Sequence, residues 1–361
     1  MAKVFATLID EVQQELQDTA GATYGDTEVA VQLEDAIREV SEYEPRVVQY
    51  TYELESRTGT ATSTLSTWIV DSSAQFIAAT DVGKVIYNTT DRTWAKVISN
   101  GSNSTTQLNL NKDIMASGED YAIFNEECWN NRQIYIGDIT DYIGGNHGVI
   151  AVEYETLNSP RKYRNFKVEG DVLTIDIDFE PPDSSSSTAD IEVFVWIQRR
   201  HQATQQTVTT LYVDYASGYS AGDTAILVDY DGGAVTGTIK EGTNFTIAET
   251  RGDYMVTADA TFSGNEVTLQ IFPALENDIA NDKTIWLMKS SLDNRLERLV
   301  VELTAAKCLI SKSLYYISTV NVGGADVAKQ FTATGHDKLA VVRSELARLV
   351  KPKTKRVWPK E

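Results

Sequence analysis

The sequence predicts an α+β fold: helices from the two ends of the chain pack as one four-helix core, and a large all-β region, a β-sandwich plus small barrel-like modules, is inserted between them. Three observations lead there. Apolar residues recur at helical spacing in the first 45 residues, they do so again from about residue 291, and a long series of short alternating segments lies between. At 361 residues and 42% hydrophobic, the chain is long enough for two or three compact units.

Val4, Phe5, Leu8, Ile9, Val12 and Leu16 fall on one stripe of a first helix. A loop with Gly21 and Gly25 follows. Asp26 is the predicted N-cap of a second helix, Glu28 sits in its first turn, and Val29, Leu33, Ala36, Ile37 and Val40 form its stripe until Pro45 ends it. Residues 1–45 therefore read as a helical hairpin.

From about residue 46 the period changes to two, as in "RVVQYTYEL", "GKVIYNTT", "DVLTIDIDFE" and "KTIWLM", with Gly, Asn, Asp and Ser between the runs. The region 46–290 divides into modules at about 60–125, 126–205 and 206–290, with "PPDSSSST" at 181–188 as a loop. Segments near residues 105 and 265 both run strand, short acidic connection, strand. That echo fits either a duplicated β module or chance convergence.

After Leu292, a long apolar face (Leu296, Leu299, Val300, Leu303, Ala306, Leu309, Ile310, Leu314, Ile317) predicts a third helix, broken by "NVGG" at 321–324. A fourth, weakened by Gly335, carries Leu339, Val342, Leu346 and Leu349 and stops before Pro352, so 291–350 reads as the C-terminal helical part.

The formal net charge is -20, which argues against a nucleic-acid-gripping body, because phosphate contacts need Lys and Arg. No apolar run reaches the roughly 18–20 residues a membrane helix needs, and acidic residues stand where a signal peptide has its apolar core. Cys128 and Cys308 read as free thiols.

His147, His201 and His336 share no metal-ligand spacing, and neither a nucleophile elbow nor a phosphate-cradling loop is present, so no catalytic residue, metal or cofactor is expected. In "DVLTIDIDFE", Thr174, Asp176, Asp178 and Glu180 share one face. A solvated outer face accounts for them; calcium or an acidic intersubunit surface is the sharper alternative, without EF-hand spacing. Trp68, Trp94, Trp129, Trp196 and Trp286 are expected in the core or between modules, with carbohydrate stacking as the alternative.

The last eleven residues, "KPKTKRVWPKE", invert the balance. Lys351, Lys353, Lys355, Arg356 and Lys360 face a single Glu361, and Pro352 and Pro359 hold Trp358 in an extended segment. A basic disordered tail is one reading; an anchor for an acidic or aromatic-lined groove on another protein is the other.

"TLIDEVQQELQD... YGDTEVAVQLEDAIREVSEYEP", then a β region, then "LERLVVELTAAKCLISKSLYY", "AVVRSELARLV" and an extended tail, resembles the head-to-tail adaptor (connector) proteins of tailed bacteriophages. "NSPRKYRNFKVEGDVLTIDIDFEPPD" and "GTNFTIAETRGDYMVTADATFSGNEVTLQIFPAL" are similar to β domains of larger adaptors and other virion proteins. The resemblance implies a virion structural protein of the neck: a homo-oligomeric ring of twelve beneath the portal protein, continuing the DNA channel without gripping DNA, its other rim meeting tail components. By position it implies Lys351, Lys353, Lys355, Arg356 and Trp358 as a portal-docking arm. The large β insertion departs from the smallest members. The competing expectation is a β-rich tail-fibre or baseplate protein that binds carbohydrate or a cell surface.

Overall fold

Helix α1 (Phe5–Glu15) buries Phe5, Leu8 and Val12, and α2 (Asp26–Tyr43) buries Val29, Leu33, Ala36, Ile37 and Val40. The computed structural model describes residues 3–318 and 325–349, apart from 75, 79, 157, 183–190 and 251. The α1–α2 loop is organised by Asp18. Its carboxylate accepts the amides of Ala22, Thr23 and Tyr24 at 3.1, 2.7 and 2.7 Å, and the Tyr24 bond above all holds its pKa below the usual range. The expected N-cap differs: Gly25 takes that place, and the Asp26 carboxylate accepts from Gln13 Nε2 at 2.8 Å, binding α1 to α2.

The chain returns to helix in α3 (Asn294–Ser318) and α4 (Ala325–Leu346). Leu296, Leu299, Val300 and Leu303 of α3 and Val342 and Leu346 of α4 join the stripes of α1 and α2 in one apolar cluster. Each such side chain contributes about 1.5–3 kcal/mol on burial, which offsets the weak propensity of the Gly-containing α4.

The expected architecture, a four-helix core with one inserted all-β region, is nevertheless overturned. The described chain is mostly β, 21 strands against four α-helices, and its β structure is not one insertion. The described residues of 1–46 and 199–349 form one compact unit and those of 47–198 belong to the other, so the last β module folds with the helices. Among the described residues the expected sandwich is not formed either: β1 and the strands of residues 133–199 make a single six-stranded sheet. Helical periodicity marks where helices lie in sequence; which strands share their unit depends on non-local closure that no window reveals.

In the unit holding 47–198, that sheet runs β1 (Arg46–Glu53), β13 (Glu192–Arg199), β10 (Val149–Tyr154), β11 (Tyr163–Glu169), β12 (Val172–Asp176), β9 (Gln133–Tyr135). Its antiparallel registers include Val152↔Val195 and Val168↔Leu173. Between β1 and β9 the chain makes a smaller module. Strands β2 (Thr58–Thr60), β8 (Asp120–Phe124), β5 (Val85–Asn88) and β6 (Thr93–Lys96) form one sheet. Strands β3 (Ser63–Leu65), β4 (Trp68–Val70) and β7 (Gln107–Asn109) form another. Ile69, Ile86, Leu108, Leu110 and Ile123 fill its interior.

In the other unit a six-stranded barrel closes in the order β14 (Thr210–Val213), β15 (Ala225–Asp229), β20 (Glu266–Phe272), β18 (Tyr254–Val256), β17 (Asn244–Ile247), β21 (Thr284–Leu287). A two-stranded ribbon, β16 (Thr238–Ile239) with β19 (Ala260–Thr261), flanks it. Closure removes the edge strands that would otherwise recruit other chains.

His201 ties the chain back to the helices where it re-enters this unit. Its amide donates to Ser41 Oγ at 2.9 Å, Nε2 donates to the Glu44 carbonyl at 2.8 Å, and Nδ1 lies 3.1 Å from Ser291 Oγ and 3.0 Å from the Ser291 carbonyl. Burial pushes its pKa below 6.5, against the pull of the two carbonyls; Arg46 also lowers it and Asp293 raises it. A buried neutral histidine costs stability once the unfolded chain can protonate, so this contribution is full above about pH 6.5 and declines below it. His201→Ala should lower stability by about 1–3 kcal/mol, leaving the Glu44 carbonyl without its donor, and should flatten the urea-unfolding stability profile between pH 7 and 5. An unchanged midpoint would remove His201 from the anchor.

Candidate functional site

The residues expected to dock on a portal, Lys351, Lys353, Lys355, Arg356 and Trp358, lie outside the described residues. Their mount is described. Helix α4 carries the chain to within a few residues of them, with Val342 and Leu346 buried and Leu349 still packed on the helical cluster.

Charge pairing locks that mount to helices from both ends of the sequence. Arg343 Nε donates to Glu39 Oε1 at 2.7 Å, Arg298 Nη2 to Glu345 Oε2 at 2.8 Å, and Lys338 pairs with Glu15. Burial pushes the Glu39 carboxyl up, but hydrogen bonds from Arg343 and Lys307 outweigh it and hold the group below its ordinary value. Each exposed pair is worth little alone; together they set the orientation of a helix whose apolar stripe already fixes its depth.

The other singled-out residues do not converge on it. His336 is exposed on α4, and His201 is the anchor described above. In the other unit, His147 Nε2 lies 2.8 Å from Asp171 Oδ1, with Tyr142 against its ring at 4.6 Å. Cys128 and Cys308 are buried, and burial pushes both thiols up to about 12, so neither is a ready nucleophile. Among the described residues no group of three His, Cys, Asp or Glu is placed to hold a metal ion. No described helix is long and apolar enough to cross a membrane.

On "DVLTIDIDFE", Leu173, Ile175 and Ile177 are buried while Asp176, Asp178 and Glu180 are exposed. Glu180 meets Arg132 Nη2 at 2.9 Å. Phe179, which the same alternation would turn inward with Ile177, is instead 37% exposed and stacks on Tyr154. None of the five tryptophans is fully buried, and of the two expected places, core or between modules, Trp94 and Trp129 take the second. Trp94 meets Trp129 edge-on at 4.9 Å with Lys112 Nζ 3.9 Å from its ring centre. Trp129 and Trp286 remain 52% and 48% exposed.

Sequence reading missed a cluster of four charged side chains in the interior of the described residues. Arg57 grips two buried carboxylates at once: Nε and Nη2 donate to Glu55 at 2.9 and 2.8 Å, and Nη1 donates to Asp81 Oδ2 at 3.1 Å. Lys84 Nζ adds contacts of 2.6 Å to Glu55 and 3.0 Å to Asp81. Burial pushes Glu55 up, yet Arg57 and Lys84 hold it at about 2; Asp81 is lowered against the same burial penalty. The one available signal was "ESR" at 55–57, which puts Glu55 and Arg57 on the same face of an extended segment.

The described residues form a mostly β chain in which helices from both ends share one apolar cluster, and in sequence the last helix is followed by the basic segment. Compared with protein-family models, curated proteins and solved structures, the chain matches none.

Proposed function

We propose that the chain is a structural virion protein, a head-to-tail adaptor of a tailed bacteriophage. It forms a ring beneath the portal protein, continues the DNA channel toward the tail, and docks on the portal through Lys351, Lys353, Lys355, Arg356 and Trp358. The observation that carries the reading is the helical mount: helices from both chain ends share one apolar cluster, and α4 leads from it into the basic segment. The resemblance rests on that order of helices and basic segment; the single inserted β region it also implied is not kept. A net charge of -20 suits a passage through which DNA slides without sticking. Arms repeated around a ring gain strength by multivalency even when each binds modestly.

Deleting residues 351–361 tests this directly. The truncated protein is expected to keep its circular dichroism and lose binding to portal particles by at least tenfold; undiminished binding would sink the arm. Electron microscopy of the full chain with portal particles should show closed rings beneath them. Binding that survives high salt would assign the arm's strength to Trp358 and backbone pairing over the lysines.

A tail-fibre or baseplate protein that binds carbohydrate is the second reading. Exposed Trp129 and Trp286 favour it, the latter flanked by Thr210 and Thr246 on neighbouring strands. A stable trimer that binds glycans and ignores portal particles would select it.

A further inference from the structure

We infer that the chain carries one barrel design twice, as residues 57–124 and 209–287, an internal repeat split between its two compact units. The smaller module is divided into two sheets, but its ends meet. Val97 bridges Leu110, joining β6 to β7, and β2 runs directly into β3. Taking β2 with β3 as strand one, the module closes in the order one, two, five, four, three, six. The 209–287 barrel closes in that same order. Pairing two with five and three with six is non-sequential, whereas consecutive strands pair about two-thirds of the time. Identical crossovers are therefore a demanding coincidence.

The equivalence extends to single residues. The third and fourth strands pair Val85↔Lys96 and Ile86↔Ala95 in one barrel, and Asn244↔Met255 and Phe245↔Tyr254 in the other. Segment 81–97 thus overlies 240–256 without a gap. Gly83 and Gly242 coincide, both at positive φ (91° and 79°), which glycine adopts without a Cβ clash. Gly83 N donates to the Val97 carbonyl at 2.9 Å and Gly242 N to the Val256 carbonyl at 2.7 Å. The return bonds, Val97 N to the Lys84 carbonyl and Val256 N to the Thr243 carbonyl, are both 2.9 Å.

Elsewhere Gly118 N to the Ala61 carbonyl (2.7 Å) matches Asp282 N to the Val213 carbonyl (2.9 Å). Leu110 N to the Thr67 carbonyl (2.7 Å) matches Ile271 N to the Thr224 carbonyl (2.8 Å). Interior positions follow: Ile69, Ile86 and Leu110 fill one barrel where Ile226, Phe245 and Ile271 fill the other. The echo near residues 105 and 265 falls on strands five and six of each copy. The outer faces have diverged. Ala122, which is buried, corresponds to Trp286, which is half exposed, so the second copy presents an aromatic where the first presents none.

Paired cysteines in the full chain test the repeat. Val97 and Leu110 lie directly opposite between the bonds Ile98 N to the Asn109 carbonyl and Asn111 N to the Lys96 carbonyl, both 2.9 Å. That non-hydrogen-bonded arrangement brings Cα atoms to about 4.5 Å, within disulfide reach. Val256 and Ile271 are the equivalent pair. With oxidised glutathione as oxidant, V97C/L110C and V256C/I271C should both form an intramolecular disulfide, each variant losing two hydrogens by mass, while buried Cys128 and Cys308 stay free. If only V256C/I271C closes, the first module is open and the repeat is wrong. Should V97C/L110C fail to fold, hydrogen exchange on the unaltered protein decides. Slow exchange at the Ile98 and Asn111 amides supports closure, and solvent-like exchange at both overturns it.

Discussion

Arg57→Met is expected to destabilise the unit containing residues 47–198 by about 3–5 kcal/mol, the usual cost of removing one partner from a buried ionic group. The magnitude follows from what stays behind. Glu55 and Asp81 are almost fully buried, and Lys84 alone cannot supply the bidentate contacts that Arg57 makes to both. The cluster also holds local geometry, since Asp81 Oδ2 accepts the Ile77 amide at 2.8 Å and the Arg57 carbonyl accepts the Ile123 amide at 2.9 Å.

Replacing the whole cluster with apolar residues of similar volume should cost far less, because desolvation of the charges is relieved together with their attraction. The pH dependence has a definite sign. Glu55 has a folded pKa of about 2 against an ordinary 4.5, so it stabilises the fold fully above about pH 4.5 and loses that contribution as pH falls toward 2. Asp81, also lowered, acts in the same direction. Guanidinium unfolding at pH 7 and pH 3 checks both: Arg57→Met should lower the pH 7 midpoint and shrink the difference between the two. Equal midpoints for variant and parent at pH 7 would show that the cluster contributes nothing net.

Gly335→Leu should lower the stability of the helical unit by about 3 kcal/mol, the upper range for overpacking a tight contact. A Cβ at Gly335 would stand 2.7 Å from Ile310 Cγ1, 3.1 Å from the Ala306 carbonyl and 3.3 Å from the Ile310 amide. Ile310 can turn its side chain, but the backbone of α3 can yield only if the two helices separate. Two effects oppose each other here. Replacing a helical glycine gains about 1 kcal/mol of propensity, while the clash costs about 1–3. For Gly335→Ala they nearly cancel; for leucine the clash dominates. Thermal unfolding of both variants separates the cases, and a leucine variant as stable as the parent would mean that α3 and α4 do not cross closely at this glycine. Because α4 carries the basic peptide, the leucine variant should also weaken portal binding on the proposed function.

The glycine shows where sequence reading reaches its limit. In a helical window Gly335 registers as a weakness, and only the crossing partner reveals it as the place where two backbones approach. The apolar stripes of α1, α2 and α3 were legible because helical periodicity is a local property and burial follows it. Asp26 was misread for the complementary reason: its carboxylate is drawn to Gln13 on the preceding helix, a partner outside the window that defines a cap. Trp286, expected in the core or between modules, is half exposed because alternation assigns residues to two faces of a strand without saying which face is covered. Arg57, Glu55 and Asp81 were invisible as a group, since Asp81 comes to Arg57 only when the loop before β5 folds back on β2.

By itself, then, the sequence determined the helical ends, the β character of the middle, the acidity of the whole and the basic segment that closes the chain. These rest on composition and on periods of two and 3.6 that neighbouring residues impose on each other. The tertiary structure alone decided that the last β module folds with the helices, that the middle is one sheet, and that four charged side chains share an interior. Those outcomes depend on which distant strands close a barrel and which charges are dehydrated together, and both are settled by contacts between residues far apart in the chain.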